Sequence, residues 1–240
     1  MRLQSVIRAI YPPQCVACDA QTDDDFGLCA TCWRETQFIG GLVCDTCGTP
    51  LLGEDHGEVV QCDDCMTIAR PWSKGRAALV YAGVGRRLVL GLKHGDRTDL
   101  APAAAQWMAQ KIQDWALLDT VIVPVPLHWL RVVRRRFNQS ALLAQEIGKV
   151  MDLPVCPDAL LRPRKTKPLE GHSREARFAE LSGAIVPNPK RVHEIAGKSV
   201  IIVDDVMTSG ATLAASAEAA RAAGATNVSI VTLARVVKDA

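Results

Sequence analysis

Residues 199–212 read SVIIVDDVMTSGAT, a β-branched apolar run that ends in two carboxylates and passes into a turn rich in hydroxyls and glycine. From Ala211 the chain becomes alanine-rich, the composition of a helix. Strand, polar turn and helix in this order predict a βα unit, and in a parallel α/β sheet ligands bind beyond the carboxyl ends of the strands. Asp204 and Asp205 are thereby delivered to the mouth of a site, where two adjacent carboxylates suit the two hydroxyls of a ribose. In the turn, Thr208, Ser209 and Thr212 supply hydroxyls and Gly210 permits close backbone approach. The N–H groups that open the helix at Ala211 complete a phosphate cradle running from Met207 to Thr212. The plainer alternative is a turn that the two acids merely cap.

A second βα pattern lies upstream. Residues 119–150, DTVIVPVPLHWLRVVRRRFNQSALLAQEIGKV, hold a buried strand over about 120–125, a proline-marked turn, a basic stretch and an amphipathic helix from about Asn138. The turn contains Pro126, Leu127 and His128, and Arg131, Arg134, Arg135 and Arg136 follow. As a set, four guanidiniums are suited to a group carrying several negative charges; taken singly, each is equally at home on a solvated face. Residues 77–96 predict a further strand ending near Tyr81 and a helix through Lys93, from which Lys93 can reach the same site. Between these patterns, residues 162–183 (RPRKTKPLEGHSREARFAELSG) form a charged stretch broken by Pro163, Pro168 and Gly171. A long polar loop in a compact enzyme reads as a lid, with a plain surface loop as the alternative.

Eight of the nine cysteines stand in the first part of the chain as four CxxC pairs: Cys15/Cys18, Cys29/Cys32, Cys44/Cys47 and Cys62/Cys65. A CxxC turn brings two thiolates onto one tetrahedral centre, and a second pair after a short loop closes the shell, leaving no coordination position for catalysis. Two zinc ions held by consecutive ribbons are the expected cofactors. Sequential pairing is favoured, with a cross-braced arrangement open. No run of ~20 apolar residues and no signal peptide is present, so a cytoplasmic protein with metal thiolates rather than disulfides is expected.

The net charge of +2 hides a division. Residues 1–70 carry 4 basic and 11 acidic side chains (−7), residues 71–240 carry 24 and 15 (+9). Eight thiolates on two Zn²⁺ add about −4 to the first part, which argues against nucleic-acid binding by the ribbons and favours a scaffold or a docking site for a protein partner. The five tryptophans (Trp33, Trp72, Trp107, Trp115, Trp129) show no stacking stripe and read as core or interdomain packing.

The segment 199–212 resembles the phosphoribosyl pyrophosphate loop of type I phosphoribosyltransferases, and the turn at 124–128 resembles their pyrophosphate loop. With PVPLH, the RRRFNQ string, VDDVMTSGAT and the cysteine module together, the chain is similar to the ComF family, linked to competence. The resemblance implies a type I phosphoribosyltransferase fold, α/β with a mainly parallel sheet and helices on both faces, over residues 76–238, behind a double zinc ribbon over 10–70. It implies that Asp204 and Asp205 hold the ribose hydroxyls and residues 208–212 the 5′-phosphate. It also implies that Lys165, Thr166 and Arg177 come down on the pyrophosphate, and that Mg²⁺ is bound mostly through the ligand.

Departures are visible. The acid that 6-oxopurine salvage enzymes place three residues after the doublet is Thr208 here; Arg136 stands where the ComF family usually has Gly; and Leu169, His172 and Glu180 replace Gln, Leu and Asn. Three functions are open on this reading. One is transfer of a phosphoribosyl group to a nitrogen nucleophile with release of pyrophosphate. A second is binding of single-stranded DNA by the basic domain, with phosphoribosyl pyrophosphate as regulator. A zinc-dependent docking adaptor, separable from ligand binding, is the third.

Overall fold

The computed structural model describes residues 12–22, 25, 27–94, 97–115, 119–165 and 173–237; Thr166, Leu169 and His172 lie outside them. In chain order the first elements are helices α1 (Ala30–Glu35) and α2 (Asp63–Thr67), strand β1 (Lys74–Val80), and helices α3 (Gly83–His94) and α4 (Leu100–Gln110). Next come β2 (Thr120–Pro124), α5 (Trp129–Arg135), α6 (Gln139–Met151), β3 (Leu160–Leu161), α7 (Arg174–Leu181) and β4 (Val186–Pro187). The chain closes with α8 (Val192–Ile195), β5 (Ser199–Met207), α9 (Ala211–Ala222) and β6 (Asn227–Arg235).

Four strands pair in the order β1-β6-β5-β2, all parallel. Their interiors are almost wholly buried, as expected where helices cover both faces. β3 and β4 form a separate short antiparallel pair. One core, against one face, contains α9, whose buried Ala214, Ala217 and Ala220 let the helix approach β5 and β6 closely. The other contains Leu88 and Leu92 of α3, Met108 of α4, and Leu143 and Ile147 of α6. α6 is capped by Asn138, whose side chain accepts the Ser140 N–H at 3.0 Å, and α5 is a short helix where the sequence showed only a basic stretch.

Both edges of the sheet are covered. Along β1, Ile39 N–H donates to Ala78 O, Val80 N–H to Gln37 O, and Gly75 N–H to Asp45 O, at 2.8–2.9 Å. Arg76 Nη2 meets Asp45 Oδ1 at 2.8 Å. A Cβ at Gly75 would collide with Thr46 O, so glycine allows the ribbon backbone to lie directly on the strand. On the other side Val155 continues beyond β2 through Ile122 N–H to Pro154 O and Cys156 N–H to Ile122 O. The stretch at 38–43 makes isolated bridges, Phe38 to Leu79 and Val43 to Pro50. Trp72 and Trp115 are buried, whereas Trp33 and Trp129 are 54% and 62% exposed, so packing accounts for the first two and not for Trp129. Trp33 packs against Phe38 with ring centres 4.6 Å apart and the planes tilted by 40°. No helix among the described residues is long and apolar enough to cross a membrane.

Candidate functional site

The carboxyl ends of β2 and β5 lie side by side because Pro124 pairs in register with Val203. Val125 N–H donates to Val203 O at 2.9 Å, and Asn138 Nδ2 to Val125 O at 3.0 Å. This pairing brings the turn that starts at Pro126 next to the acid doublet, which is 78 residues later in sequence.

After β5 the chain turns at Gly210, whose φ of +83° is the left-handed conformation that glycine adopts without strain. The loop carbonyls are held from behind. Arg235 Nη1 donates to Met207 O at 3.2 Å and to Thr208 O at 2.8 Å, and Arg70 Nη1 donates to Ser209 O at 2.9 Å. The amides of Thr208, Ser209 and Gly210 donate to no acceptor among the described residues. With three carbonyls fixed and the amides unused at the start of a twelve-residue helix, the loop has the electrostatics of an anion cradle. Ala211 is buried and Thr212 half-buried at its floor, and Thr208 is exposed.

The two acids are not equivalent. Asp205 is 3% exposed; its Oδ1 pairs with Lys93 Nζ at 3.0 Å and its Oδ2 accepts from Gln139 Nε2 at 2.9 Å. Asp204 is half-buried, and its Oδ1 accepts from Ser140 Oγ and from Asp205 N–H, both at 2.9 Å. Burial first, then the neighbouring Asp205, raise the Asp204 carboxyl to about 7, against the opposing pull of Lys93. Asp204 thus has an oxygen to offer a ligand, while Asp205 anchors α3 and α6 to the sheet.

On the β2 side, Pro126 and His128 are buried and Leu127 half-buried. His128 Nδ1 accepts the Leu130 N–H at 3.3 Å, so the imidazole caps α5. Arg131 and Arg135 are half-buried on that helix. Arg162, directly after β3, is 7% exposed, and burial followed by the charge of Arg131 pushes its guanidinium down to about 10, with Asp204 acting the other way. A buried guanidinium close to a second cation and to the acid doublet makes this a candidate place for an anion. From α7, Arg177 Nη1 reaches Thr208 Oγ1 at 3.4 Å, and Lys165 is exposed. Arg162, Gln139, Ser140, Arg235 and Arg70 were not singled out from sequence. A charge closing the apolar run of β6 was a usable signal for Arg235, and an arginine directly after β3 for Arg162; nothing local marks Arg70.

The cysteines assemble as two sets, Cys15, Cys18, Cys29, Cys32 and Cys44, Cys47, Cys62, Cys65, each with all four sulfurs within 4.8 Å of one another. Cys18 and Cys29 Sγ are 3.7 Å apart, and Cys47 and Cys62 Sγ 3.6 Å. A tetrahedron with ~2.3 Å metal–sulfur bonds has edges of ~3.8 Å, so both sets fit zinc. The pairing is sequential.

A double zinc ribbon domain matches residues 6–66, and a phosphoribosyl transferase domain matches residues 100–239. The DNA utilization protein YhgH of Escherichia coli (strain K12) is 30% identical over 216 residues, covering 88% of this chain and 91% of that protein. The chain belongs to the ComF family. Two further ComF-type relatives are competence protein F of Haemophilus influenzae, 26% identical over 87% of this chain and 90% of its own length, and competence protein ComFC of Bacillus subtilis, 25% identical over 83% and 85%. The ComF chain described here has the type I phosphoribosyltransferase fold, with Cys₄ ribbons folded onto its sheet.

Proposed function

We propose that this ComF protein binds phosphoribosyl pyrophosphate with Mg²⁺ and transfers its phosphoribosyl group to a nitrogen nucleophile. The observation that carries the reading is the loop at 207–210, its carbonyls tied back and its amides without an acceptor among the described residues, beside the half-buried Asp204. Residues 208–212 take the 5′-phosphate, Asp204 accepts from a ribose hydroxyl, and Arg131, Arg162 and Arg177 balance the pyrophosphate, with Arg135 and Lys165 at its rim. A bond forms between the nucleophile's nitrogen and ribose C1 as the C1–O bond to pyrophosphate breaks, the electron pair leaving with pyrophosphate and the displaced proton passing to solvent. When bound, Mg²⁺ would neutralise charge on the pyrophosphate and ribose oxygens. The side chains contribute by positioning and by charge, which suffices for a reaction that develops positive charge at C1 and negative charge on the leaving group. Isothermal calorimetry with phosphoribosyl pyrophosphate and Mg²⁺ tests binding, and pyrophosphate release with a panel of amines and bases tests transfer. Asp204→Asn should abolish release; absence of heat at millimolar ligand sinks the reading.

A second reading rests on α5. Trp129 and Val133 are 62% and 71% exposed beside Arg131, Arg135 and Arg136, an aromatic platform set among cations that suits the bases and phosphates of single-stranded DNA. The names of the relatives, which speak of DNA utilization and competence, accord with it. Binding that falls steeply with salt and weakens in Trp129→Ala supports this role; binding indifferent to both removes it.

A further inference from the structure

The second cysteine set and the phosphate loop are joined by a short chain of contacts. Thr46 lies between Cys44 and Cys47, is 6% exposed, and its carbonyl accepts the Trp72 Nε1–H at 2.6 Å. Gln61 Nε2 holds the Thr46 hydroxyl at 2.8 Å. The Arg70 guanidinium lies 5.4 Å from the Trp72 ring and 5.9 Å from the Phe178 ring of α7, and from that position donates to Ser209 O. A Cβ added to Gly210 would stand 3.0 Å from Arg70 Nη1 and 3.4 Å from Trp72 Cη2, so the loop is moulded on these two side chains. Arg221, near the end of α9, fixes the intervening linker by donating to Pro71 O at 2.7 Å. The first cysteine set packs in the core on the opposite side of the sheet and takes no part in this chain of contacts.

We propose that Arg70 is a positioning residue for the phosphate loop, and that through Trp72 it makes the loop's anion-binding shape depend on the second zinc ribbon. Arg235 supports the Met207 and Thr208 carbonyls, and Arg70 alone among the described residues supports that of Ser209. Without Arg70, the peptide between Ser209 and Gly210 is free to rotate its carbonyl toward the site, which would place an oxygen where an anion must sit. The planar guanidinium also fits the slot between two aromatic rings, which an ammonium fills less well. The same cation touches α7, whose Arg177 reaches Thr208, so ribbon, phosphate loop and α7 meet at one side chain.

The proposal rests on the phosphate-binding reading above, and its test separates the two. In the zinc-loaded full chain without ligand, amide hydrogen exchange of Ala214 and Val236, which donate to Gly210 O and Met207 O, should quicken on the order of tenfold in Arg70→Ala, the effect of losing one charge-assisted hydrogen bond in the loop, with Arg70→Lys between it and the parent. Trp72→Phe keeps an aromatic ring but removes both the bond to Thr46 and the Cη2 contact beside Gly210; with two zinc ions per chain retained, it should shift the same amides in the same direction. Exchange in Arg70→Ala within about twofold of the parent overturns the positioning role, and an unchanged Trp72→Phe overturns the zinc link. With Mg²⁺ present, Arg70→Ala should weaken ribose 5-phosphate about tenfold and leave inorganic pyrophosphate unaffected. Equal loss of both would mean general destabilisation and count against positioning. If the parent binds neither probe, the functional reading fails while the exchange measurement still decides the role of Arg70.

Discussion

At the scale of single residues, the acid doublet behaves as two different groups. Asp204 has an ordinary value of 3.8 and is raised to about 7 by burial and by Asp205. A raised carboxyl favours the folded state while protonated, so its contribution to stability is fully present below about pH 4 and is lost as pH rises through 7. Asp204→Asn should therefore raise the melting temperature at pH 8, with a gain that shrinks steadily as pH falls toward 4, read by differential scanning calorimetry. A ligand that draws on the ionised form should release a proton near neutrality, visible as a buffer-dependent heat of binding. Lys93 and Asp205 behave differently, as a buried pair. Lys93→Met strands a carboxylate at 4% side-chain exposure and should cost about 3 kcal/mol in urea unfolding, much of it recovered in Lys93→Met/Asp205→Asn.

At the scale of elements, two left-handed positions can be compared. Gly210 has φ +83° and a filled space around its missing Cβ, so Gly210→Ala meets both backbone strain and Met207 Cε at 2.8 Å. A loss of about 1–3 kcal/mol is expected, together with loss of phosphate affinity by calorimetry. Arg136 ends α5 with φ +66°, a conformation that costs a side chain energy and glycine none. This explains why the family usually has Gly there, and Arg136→Gly should gain about 0.5–1 kcal/mol by thermal unfolding. The βα units around β5 and β2 were legible in sequence because buried parallel strands and capped helices carry strong local patterns. α5 was not, since seven residues with no apolar periodicity look like any basic stretch.

At the scale of the whole molecule, the ribbons are built into the cores on both sides of the sheet. Cys44, Cys47 and Cys65 belong to one, Cys15 and Cys32 to the other, and residues 37–45 cover the free edge of β1. A separable docking adaptor is therefore the weaker expectation: cutting away residues 1–70 would expose both cores and a bare strand edge. Structural zinc contributes ~10–16 kcal/mol per site in small domains, as much as the ~5–15 kcal/mol that stabilises a whole domain. Chelation should accordingly unfold the sheet and not the ribbons alone, with loss of strand signal in circular dichroism and uptake of a hydrophobic dye. A sheet that survives metal removal would contradict this.

Local chemistry was enough to read the cysteine pairs, the strand–doublet–hydroxyl turn and the charge division, because a thiolate pair, an apolar run and a glycine turn each act over a few residues. The burial of Asp205 against Lys93 and Gln139, the crowding of Arg162 with Arg131, and the reach of Arg70 from the ribbon to Ser209 became visible when distant segments were brought together. Such contacts depend on strand order and on what covers each edge. Hydrogen bonds and charges act through space, and spacing along the chain does not encode which groups will meet.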